Sequence, residues 1–251
     1  MSVETEILPT IEWGRGEQTL VFLHYFGGAA DSWRWVVERM PDYRCITLNL
    51  PGFGGTKAPR QPSLRYYGDA VSKTLAGLEL GEYTLIGHSM GGKIALQVAL
   101  IDDHPPQRLV LIAPSPPTTE PMPDEEKERL LNNHPDEDNA KTTVKNATRQ
   151  PLSDEQYSLA IKTHMIVDDR AWRWWLLEGM NQSIAAGMSQ LNLPVTVLAS
   201  QDDPVIPYGT IQSDVIDIIP NASLIATGGI GHLIPLEAAD WVTAQLRRVT
   251  V

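Results

Sequence analysis

A glycine-flanked serine, a pair of aspartates and a histidine on a glycine-rich loop are the residues of this chain best suited to covalent chemistry. The serine is Ser89, in Gly87-His88-Ser89-Met90-Gly91. Glycines two before and two after it remove side chains that would collide where a chain turns sharply from a strand into a helix. Such a turn lifts the hydroxyl above a sheet and sets it over a helix N-terminus, whose free N–H groups and positive dipole end favour negative charge. A serine hydroxyl is a weak nucleophile at neutral pH. It needs a base, and the base needs an orienting acid. His232, closing Gly228-Gly229-Ile230-Gly231-His232, can be the base, and Ser200-Gln201-Asp202-Asp203-Pro204 offers two carboxylates. A fourth loop, His24-Tyr25-Phe26-Gly27-Gly28, brings backbone N–H groups that can converge with that of Met90 on an oxyanion. Together these parts can carry out acyl transfer.

The elements around them have the order this chemistry requires. Apolar runs at Thr19–Leu23, Arg44–Leu48, 83–86, 109–112, 195–198 and 223–226 predict strands, several of them covered on both faces. Helical patterns fall at 33–40, 67–80, 93–101 and 238–248. Strand–helix alternation of this kind predicts an α/β fold, a mostly parallel sheet with helices on both faces. Ser89 then follows one strand and opens a helix, and each other loop follows a strand of its own. The Gly-x-Ser-x-Gly pattern alone recurs by chance in about one chain in ten of this size. Its strand–turn–helix setting is what makes it specific.

One stretch breaks the alternation. Residues 115–193 contain no good strand. They open on prolines 114, 116, 117, 121 and 123, run into charged helix-forming sequence, and carry Trp172, Trp174 and Trp175. The reading is a helical cap, 115–193, inserted into a core formed by 1–114 and 194–251, all within a length that supports one large core. Trp172 and Trp175 share a helix face and Trp174 points elsewhere.

Composition narrows the partners. With 20 Lys and Arg against 31 Asp and Glu, the formal charge is −11. Such a surface repels nucleic-acid backbones and anionic membranes, leaving a small molecule and water as partners. The single cysteine, Cys45, forms no internal disulfide and no metal cluster. His104, His134 and His164 are isolated, and His164 four residues before Asp168 reads as an exposed helix pair. No metal and no cofactor is expected. His24 and His88 read as structural. Residues 1–10 lack a signal-like stretch and no run is long enough to span a bilayer, so a cytoplasmic protein is expected.

These motifs resemble the α/β-hydrolase superfamily over nearly the whole chain. The turn Gly87-His88-Ser89-Met90-Gly91-Gly92 is similar to the family's nucleophile elbow. Gly231-His232 with Pro235 and Glu237 is similar to its histidine loop, and residues 200–207 to its acid loop. The resemblance implies the chain order Ser89, Asp203, His232 for nucleophile, acid and base, with Asp203 rather than Asp202 as the acid because proline follows it. It implies Phe26 and Met90 as oxyanion N–H donors, and makes Tyr25, Trp172, Ile206 and Leu233 candidates for the substrate pocket. Two residues depart from the family pattern. Tyr25 stands where glycine is usual, and Asn49 replaces a frequent aspartate in the loop Asn49-Leu50-Pro51-Gly52-Phe53-Gly54. Cap size and loops resemble small bacterial carboxylesterases and enol-lactonases.

The expectation is a serine hydrolase acting on an ester or lactone. A carbon–carbon bond hydrolase, a thioesterase or a perhydrolase would keep the same triad. A receptor on the same fold would bind without turnover.

Overall fold

The computed structural model describes residues 6–250. The six expected runs form strands. A seventh, β1 (Thr10–Trp13), precedes β2 (Thr19–Leu23), β3 (Arg44–Leu48), β4 (Tyr83–His88), β5 (Arg108–Ile112), β6 (Val195–Ser200) and β7 (Ala222–Thr227). They make one sheet in the order β1-β3-β2-β4-β5-β6-β7. Only β1 runs antiparallel, pairing Thr10 with Leu48 and Trp13 with Cys45. Its four residues alternate between exposed and half-buried, and this edge position leaves no continuous apolar run to read. β2, β4 and β6 are buried along their whole length, as befits parallel strands covered on both faces.

Alternate residues of each strand face opposite layers. Leu20, Phe22, Ile86, Val110 and Leu198 pack with Trp33, Val37 and Met40 and with Val242 and Leu246 of helix Ala239–Val249. Val21, Leu23, Leu85, Leu111 and Val197 pack on the other side, with Val71 of helix Leu64–Gly77 and Ile94 of helix Met90–Ile101. Ser63 starts the first of these two helices, its hydroxyl accepting from the Tyr66 N–H at 3.1 Å. Residues 33–40, expected as a helix, form only a tight turn and one short helix, Arg34–Val37.

Among the described residues, 115–193 hold four helices of nine residues or more and no strand: Asp124–Asn132, Glu137–Ala147, Asp154–Met165 and Asp169–Leu177. Asp136, Ser153 and Asp168 cap the last three, each accepting a backbone N–H. The tryptophan helix is continuous with the sheet's apolar layer, and Trp174 lies on Tyr67 with ring centroids 4.6 Å apart and planes 10° apart.

The register aligns the strand ends that matter. Leu23 pairs with Gly87, His88 with Ile112, Ile112 with Leu198 and Ser200 with Thr227. The loops after β2, β4, β6 and β7 therefore leave the same edge of the sheet, where open parallel sheets bind ligands.

Candidate active site

Ser89 joins β4 to helix Met90–Ile101 with φ 52° and ψ −118°, a left-handed conformation costly for a side-chain residue. The turn closes because nothing projects from its glycines. A Cβ on Gly87 would sit 2.4 Å from the Gly91 carbonyl oxygen, and one on Gly91 would sit 2.4 Å from that of Leu23. Backbone bonds hold the serine in place. Its N–H donates to the Ile112 carbonyl at 3.0 Å, and its carbonyl accepts from Gly92 at 2.8 Å and Ser115 at 3.0 Å.

The three residues from three strand ends meet. His232 Nε2 lies 2.8 Å from Ser89 Oγ, and His232 Nδ1 lies 2.8 Å from Asp203 Oδ2. The other Asp203 oxygen accepts the N–H groups of Val205 at 2.8 Å and Ile206 at 3.0 Å. Burial alone would raise the Asp203 pKa. The positive charge and hydrogen bond offered by His232 outweigh it, with those two N–H groups, and hold the carboxyl below its ordinary value. Burial alone would lower His232, but the Asp203 carboxylate outweighs it and the imidazole lies above its ordinary value. Asp202 is turned elsewhere and accepts the Gly229 N–H at 2.6 Å.

A pH dependence follows. His232 can take a proton only when neutral, so activity rises as pH passes upward through its pKa. The acid limb of kcat/KM for an ester is expected to have its midpoint above the ordinary histidine value of about 6.5. A midpoint at or below that value in an initial-rate pH profile would mean that burial outweighs Asp203.

The histidine loop is braced on several sides. His88 Nε2 donates to the His232 carbonyl at 2.8 Å, and burial lowers the His88 pKa to about 3, so the ring stays neutral. The His232 N–H donates to the Ala147 carbonyl at 2.7 Å. Glu237 Oε2 accepts the N–H groups of Arg149, Gln150 and Gly231 at 2.7, 2.8 and 2.9 Å. Ser200 Oγ ties the acid loop to the histidine loop by donating to the Ile230 carbonyl at 2.5 Å.

Opposite them, Tyr25 to Gly28 form a turn closed by the Gly28 N–H on the Tyr25 carbonyl at 2.9 Å. Phe26 is its second residue, and Met90 is the first residue of the helix after Ser89. An N–H in a helix's first turn has no partner within the helix. Tyr25 folds its ring back over Gly28, where a Cβ would meet the ring at 2.8 Å, and against His88 with centroids 5.2 Å apart. Burial pushes the Tyr25 hydroxyl up to about 12, with Thr163 and Ser32 acting the other way. His24 Nδ1 donates to the Tyr25 carbonyl at 2.8 Å and Nε2 accepts from Leu50 at 3.1 Å. Burial lowers its pKa to about 4. Asn49 Oδ1 accepts the Ala30 N–H at 2.8 Å, a loop contact that an aspartate would also make.

Ser89 and His232 line a cavity of about 400 Å³. Tyr25, Phe26 and Leu233 line it too. Trp172 and Ile206, expected there, do not, and both are fully buried behind it. Trp172 stacks on Phe26 at 4.2 Å and donates its indole N–H to the Leu130 carbonyl at 2.9 Å, so Trp175 is the tryptophan in the wall. Ile206 serves through its backbone, on Asp203.

His134 and His164 are not isolated. The His134 ring stacks on Trp172 at 4.2 Å, and His164 meets the same indole edge-on at 4.6 Å. His164 is buried and lines the cavity, not an exposed partner of Asp168, which caps the next helix. Glu120 also lines the cavity and has no sequence signal beyond its proline-rich surroundings. Among the described residues, no group of three or more His, Cys, Asp or Glu is arranged to hold a metal. No helix there is long and apolar enough to cross a membrane.

Comparison with known proteins adds a fold and a family-model match to part of the chain. A model of the alpha/beta hydrolase fold family matches residues 18–140. An esterase from Exiguobacterium antarcticum superposes with a TM-score of 0.85 at 17% identity, over 97% of this chain and 94% of its own. A thermophilic esterase from Thermogutta terrifontis gives 0.79 at 20% identity, over 96% and 92%. A meta-cleavage product hydrolase from Pseudomonas fluorescens IP01 gives 0.82 at 19%, over 96% and 93%. In sequence, the chain is 38% identical over 80 residues to the 2-succinyl-6-hydroxy-2,4-cyclohexadiene-1-carboxylate synthase of Escherichia coli O8 (strain IAI1). That match spans 32% of each protein, about a third of the curated relative's length. The chain has the alpha/beta hydrolase fold over nearly its whole length, and the model of that fold family matches it over residues 18–140.

Proposed function

We propose that the protein is a serine hydrolase that cleaves a carboxylic ester or lactone through an acyl-enzyme on Ser89. The observation that carries this reading is the hydrogen-bonded series Ser89 Oγ, His232, Asp203, with both links at 2.8 Å. In this reading Ser89 Oγ attacks the carbonyl carbon while its proton passes to His232 Nε2. The tetrahedral oxyanion is received by the N–H groups of Met90 and Phe26. It collapses, the ester C–O bond breaks, and the leaving alkoxide takes the proton from His232. Water then repeats the sequence, giving its proton to His232, and Ser89 recovers a proton as the acid departs. Asp203 keeps the proton of neutral His232 on Nδ1, leaving Nε2 free to accept, and steadies the imidazolium between steps. Residues 115–193 act as the cap over this cavity.

The lining favours a neutral, largely apolar substrate. Met122, Leu130, Val144, Trp175, Val205 and Leu233 supply the walls. No Lys or Arg is among the lining residues, whereas Glu120 and Glu126 are. The matched synthase is named for a succinyl-substituted carboxylate, and this wall gives such an anion no cationic partner. The esterases and the meta-cleavage product hydrolase share the fold at identities that carry the fold alone, so the ester reading rests on the site's own chemistry.

A fluorophosphonate probe tests the reading. The probe is expected to label Ser89, located by peptide mass mapping, and to abolish multiple-turnover hydrolysis of 4-nitrophenyl butyrate in proportion to labelling. Turnover that survives complete labelling, or a label placed on another residue, would sink it. Binding and labelling without turnover would mark a receptor.

A further inference from the structure

Three described residues of the cavity wall carry a buried polar atom without a hydrogen-bond partner: Tyr25, Glu120 and His164. Glu120 lines the same cavity as Ser89 and His232, and the residue is only 5% exposed. Its Oε2 makes no hydrogen bond of ordinary length, although the Ser115 hydroxyl lies close enough to act on the carboxyl. Buried polar atoms are almost always partnered, and an orphan one calls for a reason. Lys93 acts on the carboxyl by its charge but makes no close ion pair with it. The Lys93 ammonium is directed at the Thr118 carbonyl at 2.8 Å and the Met180 carbonyl at 3.0 Å. Backbone placement does not require the carboxyl, because the Glu120 N–H is held by the Met180 carbonyl at 2.9 Å whatever the side chain. Two other lining residues have a buried unpartnered atom: the hydroxyl of Tyr25, whose ring packs against His88, and Nε2 of His164. The His164 ring is accounted for by its packing on Trp172.

We propose that Glu120 is a specificity-determining residue that hydrogen-bonds a hydroxyl group of the substrate, so that the preferred esters or lactones carry a hydroxyl on their acyl or alcohol part. This rests on the Ser89 reading. A hydroxyl fits better than a charged group. Burial holds the Glu120 carboxyl above its ordinary value, with Ser115, Lys93 and His232 opposing, and a carboxyl oxygen can accept from a hydroxyl in either protonation state. A substrate carboxylate would meet Glu120 with no cation in the wall. An ammonium would lose its water against Met122, Leu130 and Trp175.

The test compares kcat/KM within two pairs: 4-nitrophenyl 3-hydroxybutyrate against 4-nitrophenyl butyrate, and glycerol monobutyrate against propyl butyrate. The wild type is expected to prefer the hydroxylated member of at least one pair by about tenfold or more. Glu120→Leu is expected to bring that ratio near one, and Glu120→Gln to keep most of it. In the wild type alone, where folding of a variant is not at issue, the 3-methoxy counterpart of a preferred 3-hydroxy ester is expected to lose the advantage. If the wild type hydrolyses no ester, the Ser89 reading has failed. If it hydrolyses both members of each pair equally, or if Glu120→Leu slows both members by the same factor and leaves the ratio unmoved, the Glu120 inference has failed and the Ser89 reading stands.

Discussion

Ser89→Ala is expected to lower kcat for a 4-nitrophenyl ester by about 10⁴–10⁶-fold with the fold intact. The change deletes one oxygen, whose contact is with His232 Nε2 at 2.8 Å. The backbone bonds of residue 89 to Ile112, Gly92 and Ser115 do not involve the side chain, and alanine meets the same positive φ that serine does. Residual hydrolysis would come from the oxyanion donors and from substrate held against them, which alone keep a measurable advantage over water. Steady-state kinetics checks the rate, and circular dichroism checks the fold. A variant keeping more than about a tenth of wild-type kcat would mean that the serine is not the nucleophile.

Asp203→Asn is expected to cost about 10⁴-fold in kcat, and Asp202→Asn less than about threefold. Asp203 uses both oxygens, one on His232 Nδ1 and one on the N–H groups of Val205 and Ile206. An asparagine has a single acceptor oxygen. If that oxygen stays with the two backbone donors, its NH₂ group faces Nδ1 and forces the histidine proton onto Nε2. The base can then no longer accept from Ser89. Asp202 accepts one N–H, that of Gly229, and an asparagine oxygen can do the same. Parallel kinetics on the two variants decides the matter, and the reverse order of effects would reassign the acid.

The contrast between these two aspartates also shows what a sequence makes legible. Ser89, Asp203 and His232, the proposed reacting residues, were readable because each sits at a strand end with strict local demands, such as the glycines of the Ser89 turn. Six of seven strands announced themselves as apolar runs because the interior of a parallel sheet is buried on both faces. β1 escaped because four alternating edge residues carry little signal. The cavity wall was harder to read. Trp172, Trp174 and Trp175 are all buried, so apolarity cannot say which of them faces a cavity; helix rotation and the position of Phe26 decide that. His134 and His164 lie thirty residues apart in sequence and meet on one indole, a proximity set by tertiary packing alone. Glu120 follows no periodicity, and only the shape of the wall makes it noticeable.

The Glu237 carboxylate and the Ala147 carbonyl fasten the loop bearing His232 to residues 147–150. His232, the proposed general base, is therefore anchored partly to residues 147–150 of the proposed cap. Displacing that corner would displace His232 with it. Anyone exchanging the cap to alter substrate range should graft around this seam, or carry Glu237 and its three N–H partners across as one unit.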